Sequence, residues 1–220
     1  TRIAEDGSFQ RAASAFRNWI TADGRPGPTG HDGFAAAAGR YHLYVSLACP
    51  WAHRVLIMRA LKGLETMIPV SVTHWIMGEQ GWNFAPDEGV IPDPLFNSRD
   101  MHEIYTRADP SYTGRVTVPV LWDQHTQTIV NNESADIIRM LNGAFNAIGA
   151  TPGDYWPTAL RAEIDGYNER IYTTLNNGVY RSGFATTQAA YEDAVTPLFD
   201  TLDWLEDHLA NYPRTVIVIS

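Results

Sequence analysis

In Tyr41-His42-Leu43-Tyr44-Val45-Ser46-Leu47, Leu43, Val45 and Leu47 alternate with more polar residues, which is the period of a strand. Ala48-Cys49 follows, and Pro50 suits the first turn of a helix, where its missing N–H is not needed. From Trp51 to Leu61 the period becomes helical, with Trp51, Val55 and Met58 on one face and Ala52, Leu56 and Ala60 on an adjacent one. Gly63 stops the helix. Ile68-Pro69-Val70-Ser71-Val72 reads as a second strand, so residues 41–72 predict a parallel βαβ unit. Residues 73–97 are rich in Gly and Pro and predict a long loop, a kind of connection that is usually functional or disordered. A short helix over 98–107 follows. Val116-Thr117-Val118-Pro119-Val120-Leu121-Trp122 and Thr126 to Val130 read as strands, joined by a hairpin loop containing Asp123, Gln124 and His125. Glu133 to Leu141 predicts a helix ended near Asn142-Gly143. After Pro152 the pattern is all-helical: Leu160 to Leu175 and Ala189 to Leu209, with a break at Asn176-Asn177-Gly178.

The fold class is therefore α/β plus all-α, preceded by an extension over residues 1–40. That extension is either a flexible arm or a segment packed on the body by Phe9, Phe16, Trp19 and Ile20. Asp23 to Gly30 reads as a loop. At 220 residues, 45% hydrophobic and 19% charged, the composition is globular and rules against disorder. No apolar run reaches the ~20 residues of a membrane span, and no apolar signal-peptide core is visible in the first twenty residues. A net charge of −9 argues against a nucleic-acid partner but not against a small anion, which local donors can hold.

Cys49 is the only cysteine, so neither an intramolecular disulfide nor a cysteine-based zinc cluster can form. A lone cysteine fits a reducing compartment, and the location expected is cytoplasmic. No His, Asp and Glu spacing suggests a metal. The position of Cys49, between a strand and its helix, points the sulfur at free N–H groups and the positive end of the helix dipole. Both favour thiolate, the attacking form in thiol exchange, and lower the pKa expected for Cys49. His53 and Arg54, one turn on, are positioned to add positive charge, although His53 reads equally as a solvent-facing residue. The alternative for Cys49 is a small buried core residue.

Pro119 lies inside an apparent core strand, where proline is normally excluded. A cis Val118–Pro119 bond that ends or bends the strand accounts for it and exposes the Val118 backbone to a peptide-like ligand. A proline on an edge strand is the alternative. Asn131-Asn132-Glu133-Ser134 opens a helix, where free N–H groups and the Ser134 hydroxyl suit a carboxylate and Glu133 suits an ammonium. An amino-acid head group needs both; ordinary N-capping needs neither.

Taken together, Cys49-Pro50-Trp51-Ala52-His53-Arg54, Thr117-Val118-Pro119-Val120-Leu121-Trp122-Asp123 and Asn132-Glu133-Ser134-Ala135-Asp136-Ile137-Ile138 resemble the glutathionyl-hydroquinone reductases, the Xi class of glutathione transferases. Gly81-Trp82-Asn83-Phe84 and the stretch from Asn176 to Ala185 also resemble that class. The resemblance covers most of residues 40–210. It implies a thioredoxin-like glutathione-binding domain over 41–150 and a helical domain over 151–220. It implies glutathione as co-substrate, lying along Val118 and Pro119, with its γ-glutamyl head on Glu133 and Ser134 and Trp82 packed against it. Cys49 is then the catalytic nucleophile. Tyr180 matches the tyrosine that faces the quinol ring, with Tyr172 a weaker candidate. The activity implied is removal of glutathione from glutathionyl-hydroquinones, by a homodimer. The family pattern continues past the tail Asn211 to Ser220, so the resemblance implies a helical domain left incomplete by C-terminal truncation. Two other readings are an omega-like glutathione thioltransferase or dehydroascorbate reductase, and a glutathione-binding module without turnover.

Overall fold

The computed structural model of the chain describes residues 2–211; the tail from Tyr212 to Ser220 lies outside the described residues. The elements in chain order are strands β1 (Arg2–Ile3), β2 (Phe9–Gln10), β3 (Trp19–Thr21), β4 (Gly33–Ala35) and β5 (Tyr41–Ser46), helix α1 (Pro50–Leu61), β6 (Val70–Thr73), α2 (Met101–Ala108), β7 (Val120–Asp123), β8 (Thr128–Asn131), then α3 (Ser134–Gly143), α4 (Arg161–Arg170), α5 (Gly178–Gly183) and α6 (Gln188–Asn211). They fall into two compact units: residues 14–154, and residues 2–13 together with 155–211.

The first unit is built on a mixed sheet of order β6-β5-β7-β8, with β5 parallel to β6 and antiparallel to β7. All six residues of β5 are buried. A central strand covered on both faces loses its polar alternation, so Tyr41, His42 and Tyr44 are as buried as Leu43 and Val45. Leu47, expected to continue the apolar face, instead lies beyond the strand and is 64% exposed. Helix α1 starts with Pro50 at its first position and ends in a Schellman turn. There Leu64 N–H donates to Arg59 O and Gly63 N–H to Ala60 O, at Gly63 φ +61°. Ala52, Val55 and Met58 give α1 its buried face, and Arg54 is buried with them; Ala60 is exposed. This strand, helix, strand, then hairpin and helix arrangement is the thioredoxin-like domain.

The loop over 73–97 is pinned at both ends rather than loose. Val72 and Ile91 exchange both backbone hydrogen bonds, extending the sheet past β6. Phe84 N–H donates to Arg99 O and Met101 N–H to Trp82 O, tying Gly81-Trp82-Asn83-Phe84 to the start of α2. The strand expected from Val116 begins only at Val120, after a cis Val118–Pro119 bond. Asp123 ends β7 instead of sitting in the turn. Its carboxylate takes the Arg40 guanidinium at 2.7 and 2.8 Å and the N–H groups of His125 and Thr126.

Residues 14–40 pack on this unit. Strands β3 and β4 run parallel, with Ile20 opposite Phe34. Gly33 is required there, since a Cβ would meet the Arg25 carbonyl at 2.3 Å. Asn18 N–H donates to Val130 O, so the segment before β3 lies along β8.

In the second unit, the β1–β2 hairpin joins the helices: Thr186 N–H donates to Gly7 O, and Phe9 stacks on Phe184 with centroids 5.4 Å apart. The break expected at Asn176-Asn177-Gly178 is absent. Ile171–Asn176 forms a π-helical turn, closed by Asn177 N–H to Tyr172 O at 3.0 Å, and Asn177 stays helical. A wider turn absorbs the sequence that elsewhere would end a helix. Among the described residues no helix is long and apolar enough to cross a membrane.

Candidate functional site

Cys49 is the N-cap of α1, with extended backbone and only 9% exposure. Its carbonyl accepts from Ala52 and His53 N–H, which fixes the helix start. The Sγ donates to the Val118 carbonyl at 3.4 Å, which places the thiol directly against the residue that precedes the cis proline. Both Val118 and Pro119 are buried. His53 is exposed. Arg54 reaches the start of α3: its Nη2 and Nε donate to Ser134 Oγ at 2.8 and 3.1 Å. The guanidinium also lies 3.7 Å from Glu133 Oε1 and sits on the Trp51 ring.

Glu133 is the N-cap of α3, and its side chain accepts from Ala135 N–H at 3.3 Å. Ser134 opens the helix and is buried. Arg54 therefore ties the start of α3 to the helix that begins at Cys49. A second tie escapes the sequence reading. The Tyr105 hydroxyl on α2 donates to Thr117 O at 2.9 Å and accepts from Thr117 N–H and Asn132 Nδ2. One buried phenol thus bridges the residue before Val118 and the residue before Glu133. Burial pushes its pKa up, against the pull of its Thr117 and Asn132 hydrogen bonds, so it stays neutral and keeps its O–H to donate. Nothing in the local sequence signals this role, because Tyr105 sits on the apolar face of a short helix. Ser14 is also missed. Its hydroxyl donates to Glu133 Oε2 at 2.9 Å from the N-terminal segment.

The structure thus brings together Cys49, Val118, Pro119, Glu133 and Ser134 in one unit, linked by Arg54 and Tyr105. Trp82, in the same unit, is nine-tenths buried and held through its carbonyl. Tyr180 belongs to the second unit. It stacks with Phe9 and Phe184, and the Arg11 guanidinium lies 4.8 Å over its ring. Tyr172, in the π-helical turn, is 43% exposed. Among the described residues no group of three or more His, Cys, Asp or Glu is gathered to hold a metal.

A thiol at a helix start beside the carbonyl that precedes a cis proline, together with a helix start carrying Glu-Ser, suits a peptide thiol with an amino-acid head. Residues 48–144 match the glutathione S-transferase N-terminal domain. The glutathione transferase Xi 1 of Trametes versicolor superimposes with a TM-score of 0.83 at 52% identity, over 90% of this chain and 68% of that one. The chain belongs to the Xi class of glutathione transferases. Among curated relatives, it is 58% identical over 203 residues to the glutathionyl-hydroquinone reductase PcpF of Sphingobium chlorophenolicum. It is 59% identical over 207 residues to the glutathionyl-hydroquinone reductase YqjG of Escherichia coli. These matches cover 92% and 94% of this chain; the chain spans 62% and 63% of the length of those two relatives. The glutathione-bound structure of YqjG matches with a TM-score of 0.86, over 89% of this chain and 64% of that one. The Xi class accounts for the fold of both units, thioredoxin-like and helical.

Proposed function

We propose that this chain carries glutathione-dependent reduction of glutathionyl-hydroquinones, with glutathione as co-substrate and Cys49 as nucleophile. The observation that carries the reading is the Cys49 thiol at the start of α1, 3.4 Å from the Val118 carbonyl. The names of the two reductase relatives and the glutathione-bound neighbour support the substrate class.

Glutathione would lie along Val118 and Pro119. Glu133 would take the γ-glutamyl ammonium, Ser134 and the N–H groups at the start of α3 its carboxylate, and Trp82 would pack against the tripeptide. The Cys49 thiolate attacks the sulfur of the glutathionyl-hydroquinone. An S–S bond forms, the bond from sulfur to the aromatic carbon breaks, and its electron pair stays with the ring, which takes up a proton. Tyr180, the match to the family tyrosine that faces the quinol ring, is the residue proposed to assist that protonation, ahead of Tyr172. The ring is reduced and Cys49 is oxidised to a mixed disulfide. A second glutathione thiolate then attacks the glutathione sulfur of that disulfide and releases oxidised glutathione with the Cys49 thiolate. Free glutathione replaces a resolving cysteine, so a single cysteine suffices. A homodimer and a reducing, cytoplasmic setting complete the proposal; light scattering tests the first.

Turnover of glutathionyl-menadiol tests the reading. We expect hydroquinone release in Cys49-containing protein and none in Cys49→Ala. An omega-like thioltransferase would instead reduce hydroxyethyl disulfide and leave the aromatic thioether intact. A binding module would take up glutathione without product.

A further inference from the structure

The N-terminal segment reaches the same helix start that the proposed function assigns to the glutathione head group. Its register is set by the backbone. Asn132 N–H donates to Phe16 O at 3.1 Å, Phe16 N–H to Asn132 Oδ1 at 3.1 Å, and Asn18 N–H to Val130 O at 3.0 Å. Arg17 faces Asn131 in an antiparallel bridge, and its guanidinium pairs with Asp136 on α3. Asn131 Nδ2 donates to Asn18 O at 2.9 Å. Two residues before Phe16, Ser14 reaches the Glu133 side chain. There its hydroxyl donates to Glu133 Oε2 at 2.9 Å, with the Asn132 carbonyl at 3.4 Å.

We propose that Ser14 is a positioning residue for the amino-acid head group of glutathione, acting through Glu133; this rests on the function proposed above. An ionised glutamate has about four acceptor positions on two oxygens. In this structure Oε1 faces Ala135 N–H and the Arg54 guanidinium, and Oε2 takes the Ser14 hydroxyl. The carboxylate is held from both sides and remains 27% exposed, so an arriving ammonium finds it already oriented. Without Ser14, Oε2 loses its donor and the side chain must be ordered on binding, a cost that appears as weaker affinity. The hydroxyl bonds Glu133 and the Asn132 carbonyl, groups that take no part in the thiol exchange, so the chemical step is left alone. Residues 14–18 are therefore part of the binding site, and not only a brace along β8.

The test uses the full chain with Ser14→Ala and Ser14→Thr. Glutathione affinity is measured by calorimetry, and KM and kcat in turnover of glutathionyl-menadiol. Ser14→Ala is expected to raise Kd and KM for glutathione roughly three- to tenfold with kcat unchanged, and Ser14→Thr to restore both. The deciding arm replaces glutathione by its des-amino analogue, glutaryl-cysteinyl-glycine, in the calorimetry. That ligand has no ammonium for Glu133, so wild type and Ser14→Ala should bind it equally. Unchanged Kd and KM in Ser14→Ala would overturn the proposal, as would the same penalty with the des-amino analogue. The latter would mark Ser14 as a general brace of the segment. Failure of wild type to bind glutathione at all would overturn the underlying function as well, and is told apart from the other outcomes by the wild-type arm alone.

Discussion

Arg54 has partners that its place in the sequence does not announce. One turn past Cys49 it reads as a positive charge for the thiolate, yet its guanidinium is turned to Ser134 and Glu133. Only the tertiary pairing of α1 with α3 redirects it, and no local pattern encodes that pairing. Because the guanidinium is 5% exposed and doubly bonded to Ser134, Arg54→Met should lower stability by about 2 kcal/mol, read from urea denaturation. It should also weaken glutathione binding. Arg54→Lys should recover little of either, since a point-charge ammonium cannot match the planar fork that spans Ser134 and Glu133. Full recovery in the lysine variant would show that charge alone is used. The helix starts at Cys49 and at Glu133-Ser134 and the cis bond before Pro119 are legible in the sequence because each breaks a local rule or sits at a helix end. Tyr105 and Ser14 are not, because their partners lie 12 and 119 residues away.

At the scale of elements, β5 is the strand on which pH should act. Burial pulls the His42 pKa down to about 4, with Asp93 opposing the shift and Arg59 adding to it; its Nε2 meets Ser71 Oγ at 2.8 Å. In the unfolded chain the imidazole titrates near 6.5. Between these two values the unfolded state binds a proton that the folded state does not, so stability falls as pH drops through that window. By pH 4.5 the loss from this one group is about 2 to 3 kcal/mol. Urea midpoints measured from pH 7 to 4.5 should fall accordingly, and His42→Gln should flatten the slope; an unchanged slope in the variant would remove His42 from the account. The same strand explains what the sequence pattern could and could not give. Its apolar residues marked a strand, but the expected alternation is absent because both of its faces are covered. The helix start at Pro50 and stop at Gly63 were readable from their end chemistry. The π-helical turn was not, since Asn-Asn-Gly ordinarily ends a helix and the turn is held in line by its packing on α6.

For the whole molecule, burial is unevenly shared between the two units. The fully buried Trp122, Tyr41, Tyr44, Tyr105 and Leu43 all belong to residues 14–154. In the other unit α4 has no buried residue, and Tyr191, Val179, Phe184 and Phe199 are each more than 40% exposed. Opening free energies follow burial of this kind. Amide hydrogen exchange should therefore be slowest in β5 and β7 and faster throughout α4, α5 and α6, and equal protection in both units would contradict this reading. The change of hydrophobic period after Pro152 marks the division into α/β and all-α parts. The split of the first forty residues between the two units has no such mark, since short strands such as β1 and β3 are set by their partners and not by their own pattern. The central claim concerns Cys49, and intact mass after brief exposure to glutathionyl-menadiol, without free glutathione, tests it most directly. We predict a gain of one glutathionyl group that is absent in Cys49→Ala and removed by added glutathione. An unmodified wild-type mass, or the same gain in Cys49→Ala, would contradict it.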